Sequence, residues 1–181
     1  LHEYEQAREY ILQTTEKQQQ LLSFLTRKVR DPATLGLLLG KARRAEEMGV
    51  SFILDPETSL ARLPAHFPSD AMVLVLGNLL ENALEAIATA KKPGEGQVTV
   101  SIYDQQIQVE DNGPGIPTAI ATRIKEKGVS SRDNGRGLGL HLVSRQVEEL
   151  SWGRLCIANR PEGGVRARVV IPKVPPKRGN G

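Results

Sequence analysis

Asn78, Asn82 and Glu85 fall on one side of a helix. With Asn78 at the origin of a wheel turning about 100° per residue, Asn82 lies near about 40° and Glu85 near about −20°. Val73, Leu76, Leu80, Leu84 and Ile87 gather on the opposite side. A solvated polar face explains this pattern as well as a binding face does. Asparagine is a mediocre helix former, however, and two of them four apart need a reason. A second cluster is Asp111-Asn112-Gly113-Pro114-Gly115-Ile116, at the end of a strand-patterned run. A carboxylate there can accept a hydrogen bond from an exocyclic amine such as adenine's, and the glycines let the backbone approach a flat ligand. An ordinary Asp-Asn-Gly turn is the plain alternative. The third is Gly135-Arg136-Gly137-Leu138-Gly139-Leu140, directly before a helix. Bare backbone N–H groups and a helix start make a phosphate cradle. It is not the dinucleotide fingerprint, which sits in the first turn of a βαβ unit, and no Gly-Lys-Ser/Thr follows to make a Walker loop.

The elements that must position these groups follow from periodicity and punctuation. Residues 3–29 lack glycine and proline and read as one long helix, with Ile11, Leu21, Leu22, Leu25 and Val29 on its apolar stripe. Asp31-Pro32 opens a second helix to about Met48, stopped by Gly49. The two form a hairpin whose stripes need the next domain or a second copy to cover them. Ser51–Leu54 is a strand, and Ser59–Leu63 a weak, irregular one. Pro68-Ser69-Asp70 caps the helix that carries Asn78 and Asn82 to about Ala90. Residues 97–103 and 106–110 alternate as a hairpin turning at Asp104-Gln105. Leu138–Leu150 is helical, and 154–159 pairs with 165–171 across Glu162-Gly163-Gly164. Helices alternating with antiparallel pairs favour an α/β sandwich, with helices on one face of a mixed or antiparallel sheet. Residues 117–134, polar and only briefly helical, suit an active-site lid. Lys125, Lys127 and Arg132 could reach phosphates from it, as could Arg136, although lid cations are ordinarily solvated.

Composition narrows the class. The 181 residues suffice for one large domain or one with a helical appendage. Cys156 alone excludes an internal disulfide or zinc cluster, and a structured interior of cytosolic type is its ordinary reading. His2, His66 and His141 show no metal-ligand spacing. Setting aside Lys173, Lys177 and Arg178 in the Pro/Gly-rich tail leaves 21 basic against 21 acidic side chains. That balance argues against nucleic acid. No run approaches the roughly 20 apolar residues that span a bilayer, and no signal peptide precedes the chain. Starting at Leu1 without methionine, it reads as a fragment of something larger.

In this order the motifs resemble the nucleotide-binding fold shared by histidine kinases, the Hsp90 chaperone, type II topoisomerases and MutL, over roughly residues 52–172. "NLLENA" at Asn78–Ala83 is similar to the kinase N box, "DNGPG" at Asp111–Gly115 to the first glycine box, and "GRGLGL" at Gly135–Leu140 to the second. The resemblance implies a histidine kinase/Hsp90-like α/β sandwich preceded by an α-helical hairpin. It also implies ATP and Mg²⁺ as cofactors, with Asn82 as the metal ligand and Asp111 reading adenine. Asn78, Glu85, Gly113, Gly115, Ile116, Lys127, Ser130, Ser131, Arg132, Gly135, Arg136, Gly137, Leu138, Gly139 and Leu140 complete the nucleotide set. Asn78 and Asn82 would serve catalysis, with Glu81 in support. At Asn78 the ATPases of the superfamily carry a water-activating glutamate, a role asparagine cannot fill.

"DPATLGLLLGKARRAEEMGVSF" at 31–52, the preceding hairpin and "KGVSS" at 127–131 resemble the citrate and C4-dicarboxylate sensor kinases of bacteria. The phenylalanine typical of the lid box is missing, with Ile124 the nearest apolar residue. That resemblance implies a helical dimerisation remnant over 1–50, a catalytic domain over 51–172 and a flexible basic tail over 173–181. It implies transfer of ATP's γ-phosphoryl group to a histidine upstream of Leu1, then to a response-regulator aspartate. His2, in "LHEYEQA", does not look like the acceptor. The first helices would make a homodimer, and the region would be the cytoplasmic part of a membrane sensor without membrane or nucleic-acid contacts of its own. An ATPase or serine kinase of the same fold is the first alternative, and a docking module with a decayed nucleotide site the second.

Overall fold

Asp31 organises the junction between the first two described helices. In the computed structural model, which describes residues 16–124 and 139–174, residues 16–28 form helix α1 and Pro32–Glu47 form α2. The Asp31 carboxylate caps α2, accepting from the Thr34 N–H at 2.8 Å and the Thr34 hydroxyl at 2.6 Å, with Pro32 preset at the first turn. Burial pushes this carboxyl's pKa up, but the bonds from Ser69 and Thr34 outweigh it and hold the group below its ordinary value. Gln18 Nε2 donates to Glu46 Oε2 at 3.3 Å, so α1 and α2 run as the antiparallel hairpin read from the sequence.

The hairpin's stripes dock on the next layer. Leu25, Val29, Leu38 and Ala45 belong to one buried cluster with Leu76, Leu80 and Leu84 of α3 (Ser69–Ala90). The Pro68-Ser69-Asp70 cap needs correcting. Pro68 occupies the N-cap with no side-chain bond, and the Ser69 hydroxyl donates instead to Asp31, a charged acceptor. The weak strand at 59–63 also shrinks, to an isolated parallel bridge between Val29 and Leu60. The Leu60 N–H donates to the Lys28 carbonyl at 2.7 Å and its own carbonyl accepts from Arg30 at 3.0 Å, so this loop staples the α1–α2 junction. By length and composition alone α3 could cross a membrane, which the sequence reading did not anticipate; here it is the central core helix.

Five strands form one mixed sheet: β1 (Val50–Leu54), β2 (Gly96–Tyr103), β3 (Gln106–Asp111), β4 (Arg154–Asn159) and β5 (Val165–Val170), ordered β1-β2-β3-β5-β4. β1 pairs parallel to β2, and all other pairs are antiparallel. Register aligns Val100, Val109, Ala167 and Ile157 in one row and Ile102, Ile107, Val169 and Leu155 in the next. These rows line the face covered by α3 and α5 (Gly139–Ser144), where Val143 is fully buried. A short helix α4 spans Thr118–Ala121. The helix expected through Leu150 widens into a π-helical turn over Arg145–Leu150, closed by the Gly153 N–H donating to Val147 at 2.7 Å. A Cβ at Gly153 would stand 2.5 Å from the Val170 carbonyl, so only glycine lets the chain exit there.

Candidate functional site

The polar side of α3 is the spine of the site. Leu76, Leu80, Leu84 and Ile87 are buried as the wheel placed them, whereas Val73 is only half-buried. Asn78, Asn82 and Glu85 are half-buried on the other side. Asn78 Nδ2 donates to the Leu74 carbonyl one turn back at 2.7 Å, which fixes the amide and turns Oδ1 outward. Gly139, at the start of α5, comes so near that a Cβ there would lie 2.7 Å from Asn78 Oδ1. Two turns further along α3, a Cβ at Gly113 would meet Ala86 Cβ at 3.4 Å. The ends of two glycine motifs thus touch one helix face about 12 Å apart along its axis.

Asp111 occupies a core-facing position. It continues the alternation of Ile107 and Val109 and pairs with Val98, so its side chain enters the sheet's buried face at the open end of β3. Only 5% of it is exposed. Burial drives its pKa above the ordinary value against the lowering effect of the Gly113 and Val165 N–H groups and the Arg160 charge. Both protein donors land on Oδ1, from Gly113 at 2.8 Å and Val165 at 3.3 Å. Among the described residues, Oδ2 is the oxygen left for a ligand's donor.

The loop after Asp111 is held from the far hairpin. Gly115 adopts φ +81°, and Asn159 at the end of β4 grips Ile116 on both sides. Arg160 Nη1 donates to the Asp111 carbonyl at 2.9 Å and its guanidinium pairs with Glu162 at 2.7 Å. Sequence reasoning missed both Asn159, which read as the last residue of a strand, and Arg160 just after it. Glu81 is turned away to α2, where Lys41 and Arg44 (2.7 Å) both bind its carboxylate. Burial raises the Glu81 pKa, but the Lys41 bond and the charges of Lys41 and Arg44 bring it below normal.

Leu140 packs half-buried against the core, and Ile124 is buried just after α4. Lys125, Lys127, Ser130, Ser131, Arg132, Gly135, Arg136, Gly137 and Leu138 lie outside the described residues, as does His2. His66 stacks near Trp152, with ring centroids 5.7 Å apart, and its carbonyl accepts from Ser151. Cys156 is exposed on the outer face of β4, not in the interior.

One helix face is bordered by a buried carboxylate and two glycine turns. The profile of the family described as "Histidine kinase-, DNA gyrase B-, and HSP90-like ATPase" matches residues 68–175. Sensor histidine kinase DcuS of Escherichia coli K12 is 35% identical over 165 residues, covering 89% of this chain and 30% of DcuS. Sensor protein CitS of Bacillus subtilis is 35% identical over 181 residues, covering 99% and 33%. The chain spans about a third of the length of these relatives. Among solved structures, the catalytic domain of histidine kinase ThkA superposes with a TM-score of 0.61 at 22% identity, covering 81% of this chain and 93% of that one. That likeness shows the same fold, a mixed sheet with flanking helices. With the family profile spanning the site from α3 to the last strand, the chain belongs to the histidine kinase-, DNA gyrase B- and HSP90-like ATPase family, as an ATP-binding catalytic domain of the histidine-kinase-like class.

Proposed function

We propose that this domain binds ATP with Mg²⁺ along the polar face of α3 and transfers the γ-phosphoryl group to a histidine on a helix that precedes Leu1 in the parent protein. The phosphoryl group then passes to an aspartate of a response-regulator receiver domain. The observation that supports this reading is Asp111, buried beside α3 with both protein donors on Oδ1, at one end of the face on which Gly113 and Gly139 converge. A nucleotide lying along this face has its purine at Asp111 Oδ2 and its phosphates toward Gly139, where the start of α5 borders the second glycine motif. Lys127, Ser130, Ser131, Arg132 and Arg136, outside the described residues, would supply donors to the phosphates in this reading.

Asn82 would hold the metal. Its amide oxygen is a hard donor suited to Mg²⁺, with the Glu85 carboxylate nearby on the same face. Among the described residues no group of three or more His, Cys, Asp or Glu could hold a metal ion. The ion would therefore take most ligands from phosphate oxygens and water, as Mg²⁺ commonly does. When bound, Mg²⁺ supplies charge stabilisation at the transferring group. The chain's own part is to position and to balance charge, which dominates phosphoryl transfer. Asn78 cannot act as a base, which favours a protein acceptor over water. The parent is a dimeric membrane sensor, paired through its first helices, with this region in the cytoplasm.

Calorimetric titration with MgATP tests the binding half. Labelling with γ-³²P-ATP, with the parent's upstream helix supplied, tests the transfer. Acid-labile, base-stable label on that helix is expected. Steady hydrolysis without label points to an ATPase, acid-stable label to a serine kinase, and no binding of any adenine nucleotide to a docking module.

A further inference from the structure

The β4–β5 hairpin reaches the base-reading loop at three points. Asn159 Oδ1 accepts from the Ile116 N–H at 2.7 Å while its Nδ2 donates to the Ile116 carbonyl at 3.0 Å. One side chain thereby satisfies both backbone groups of Ile116, as a neighbouring strand would. Gly115, at φ +81°, lies directly against the same amide: a Cβ there would be 3.0 Å from Asn159 Oδ1. Next along the chain, Arg160 Nη1 donates to the carbonyl of Asp111 and its guanidinium stays 18% exposed between Glu110 and Glu162. Gly164, at φ +83°, approaches so closely that a Cβ would stand 2.0 Å from the Asp111 carbonyl oxygen. Val165 N–H then reaches Asp111 Oδ1.

We propose that Asn159 and Arg160 are positioning residues for base selection: they fix the Asp111 backbone and the Gly115–Ile116 turn so that Asp111 Oδ2 is held in place for an adenine donor. The inference rests on the nucleotide reading above. Neither residue needs to touch the ligand. Ile116 has no ladder partner of its own, since β3 ends at Asp111, so the Asn159 amide is what keeps the turn from swinging away from the sheet. Discrimination between purines depends on where a single carboxylate oxygen sits, and a displacement of an ångström suffices to lose a directional bond. GDP, which gains nothing from an acceptor at that place, depends on the clamp less than ADP does.

The test measures Kd for MgADP and MgGDP on the 181-residue chain and on its Asn159→Ala and Arg160→Met variants, with amide hydrogen exchange read at Ile116 and a thermal melt of each. ADP affinity in Asn159→Ala should fall at least tenfold, GDP affinity should fall by much less, and Ile116 exchange should accelerate while the core amides of α3 stay protected. Arg160→Met should narrow the ADP preference in the same direction. Equal loss of both nucleotides would mean general loosening and would overturn the proposal, as would an unchanged preference in folded variants. A wild-type chain that binds neither nucleotide overturns the nucleotide reading itself, and a wild type that binds both alike overturns base selection by Asp111.

Discussion

Asp111→Asn separates the energetics of the ligand from those of the fold, because the structure dictates how the amide must sit. The Gly113 and Val165 N–H groups both point at Oδ1, so the asparagine oxygen has to take that place and the NH₂ group falls where Oδ2 was. The fold keeps its two bonds. The ligand meets a donor in place of an acceptor. Losing a hydrogen bond to a charged group costs about 1.5–3 kcal/mol, so ATP affinity should drop roughly 10- to 150-fold. Guanine presents a carbonyl at the corresponding edge and should gain from the new donor, narrowing or reversing the preference for ATP over GTP. Burial raises the pKa of Asp111, so the folded chain disfavours the ionised form relative to the unfolded chain. The neutral variant should therefore melt no lower than wild type. Competition of ATP and GTP against a fluorescent ATP analogue, with a thermal melt alongside, measures both arms. Unchanged ATP affinity would refute base reading by this carboxylate. A melt lowered by many degrees would show instead that the charge supports the fold.

Three further outcomes follow from the same geometry. Asn82→Ala should weaken MgATP by about 1.5–3 kcal/mol in calorimetry with little change in melting, since Asn82 lies on the half-buried polar side of α3; equal affinity would end its assignment to the metal. Between the ordinary aspartate value of 3.8 and the raised value of Asp111, the folded chain binds a proton more tightly than the unfolded one, so this group's contribution to ligand-free stability falls as pH rises while ATP affinity increases, and both trends should vanish in Asp111→Asn. Glu81→Ala should cost about 1 kcal/mol, or roughly 2–4 °C of melting temperature, by freeing Lys41 and Arg44 of α2; loss of MgATP affinity at an unchanged melt would show that Glu81 supports the nucleotide site directly.

What could be read from the sequence was whatever a short stretch of chain decides for itself. Periodicity located α3, its buried side and both hairpins, because a helix wheel and a strand's alternation are local. The alternation also ran one residue further than the strand was drawn: Ile107 and Val109 already implied that Asp111 faces the core. The parallel pairing of β1 with β2 had no local signature, nor did the π-turn at Arg145–Leu150, in which Val147 is fully buried. A wheel shows direction but not what lies opposite. The wheel sets Glu81 about 60° from Asn78 and gives it only a supporting role, but it cannot show the two cations that α2 brings to that carboxylate. Asn159 was hidden for a similar reason, its partner Ile116 being 43 residues away.

The glycines carry less weight as signs of a ligand than their motifs suggest, and the carboxylate carries more. Gly113 is fixed by its own neighbours: a Cβ would crowd Asp111 Oδ1 at 2.9 Å and Ala86 at 3.4 Å. Gly139 is fixed by Asn78, and Gly164 by the Asp111 carbonyl. A domain that bound nothing would still need these three to close α3, α5 and the sheet, so their presence does not separate a working site from a decayed one. Asp111 behaves oppositely. Its ionised form is disfavoured by burial, one of its oxygens takes no donor from the described residues, and an asparagine oxygen could still accept from Gly113 and Val165. A buried carboxylate whose ionised form is disfavoured, and whose second oxygen takes no donor from the described residues, is accounted for by a ligand that donates to it. The discrimination between an active nucleotide site and a docking module therefore rests on Asp111, and the comparison of Asp111→Asn with wild type is where the two readings part.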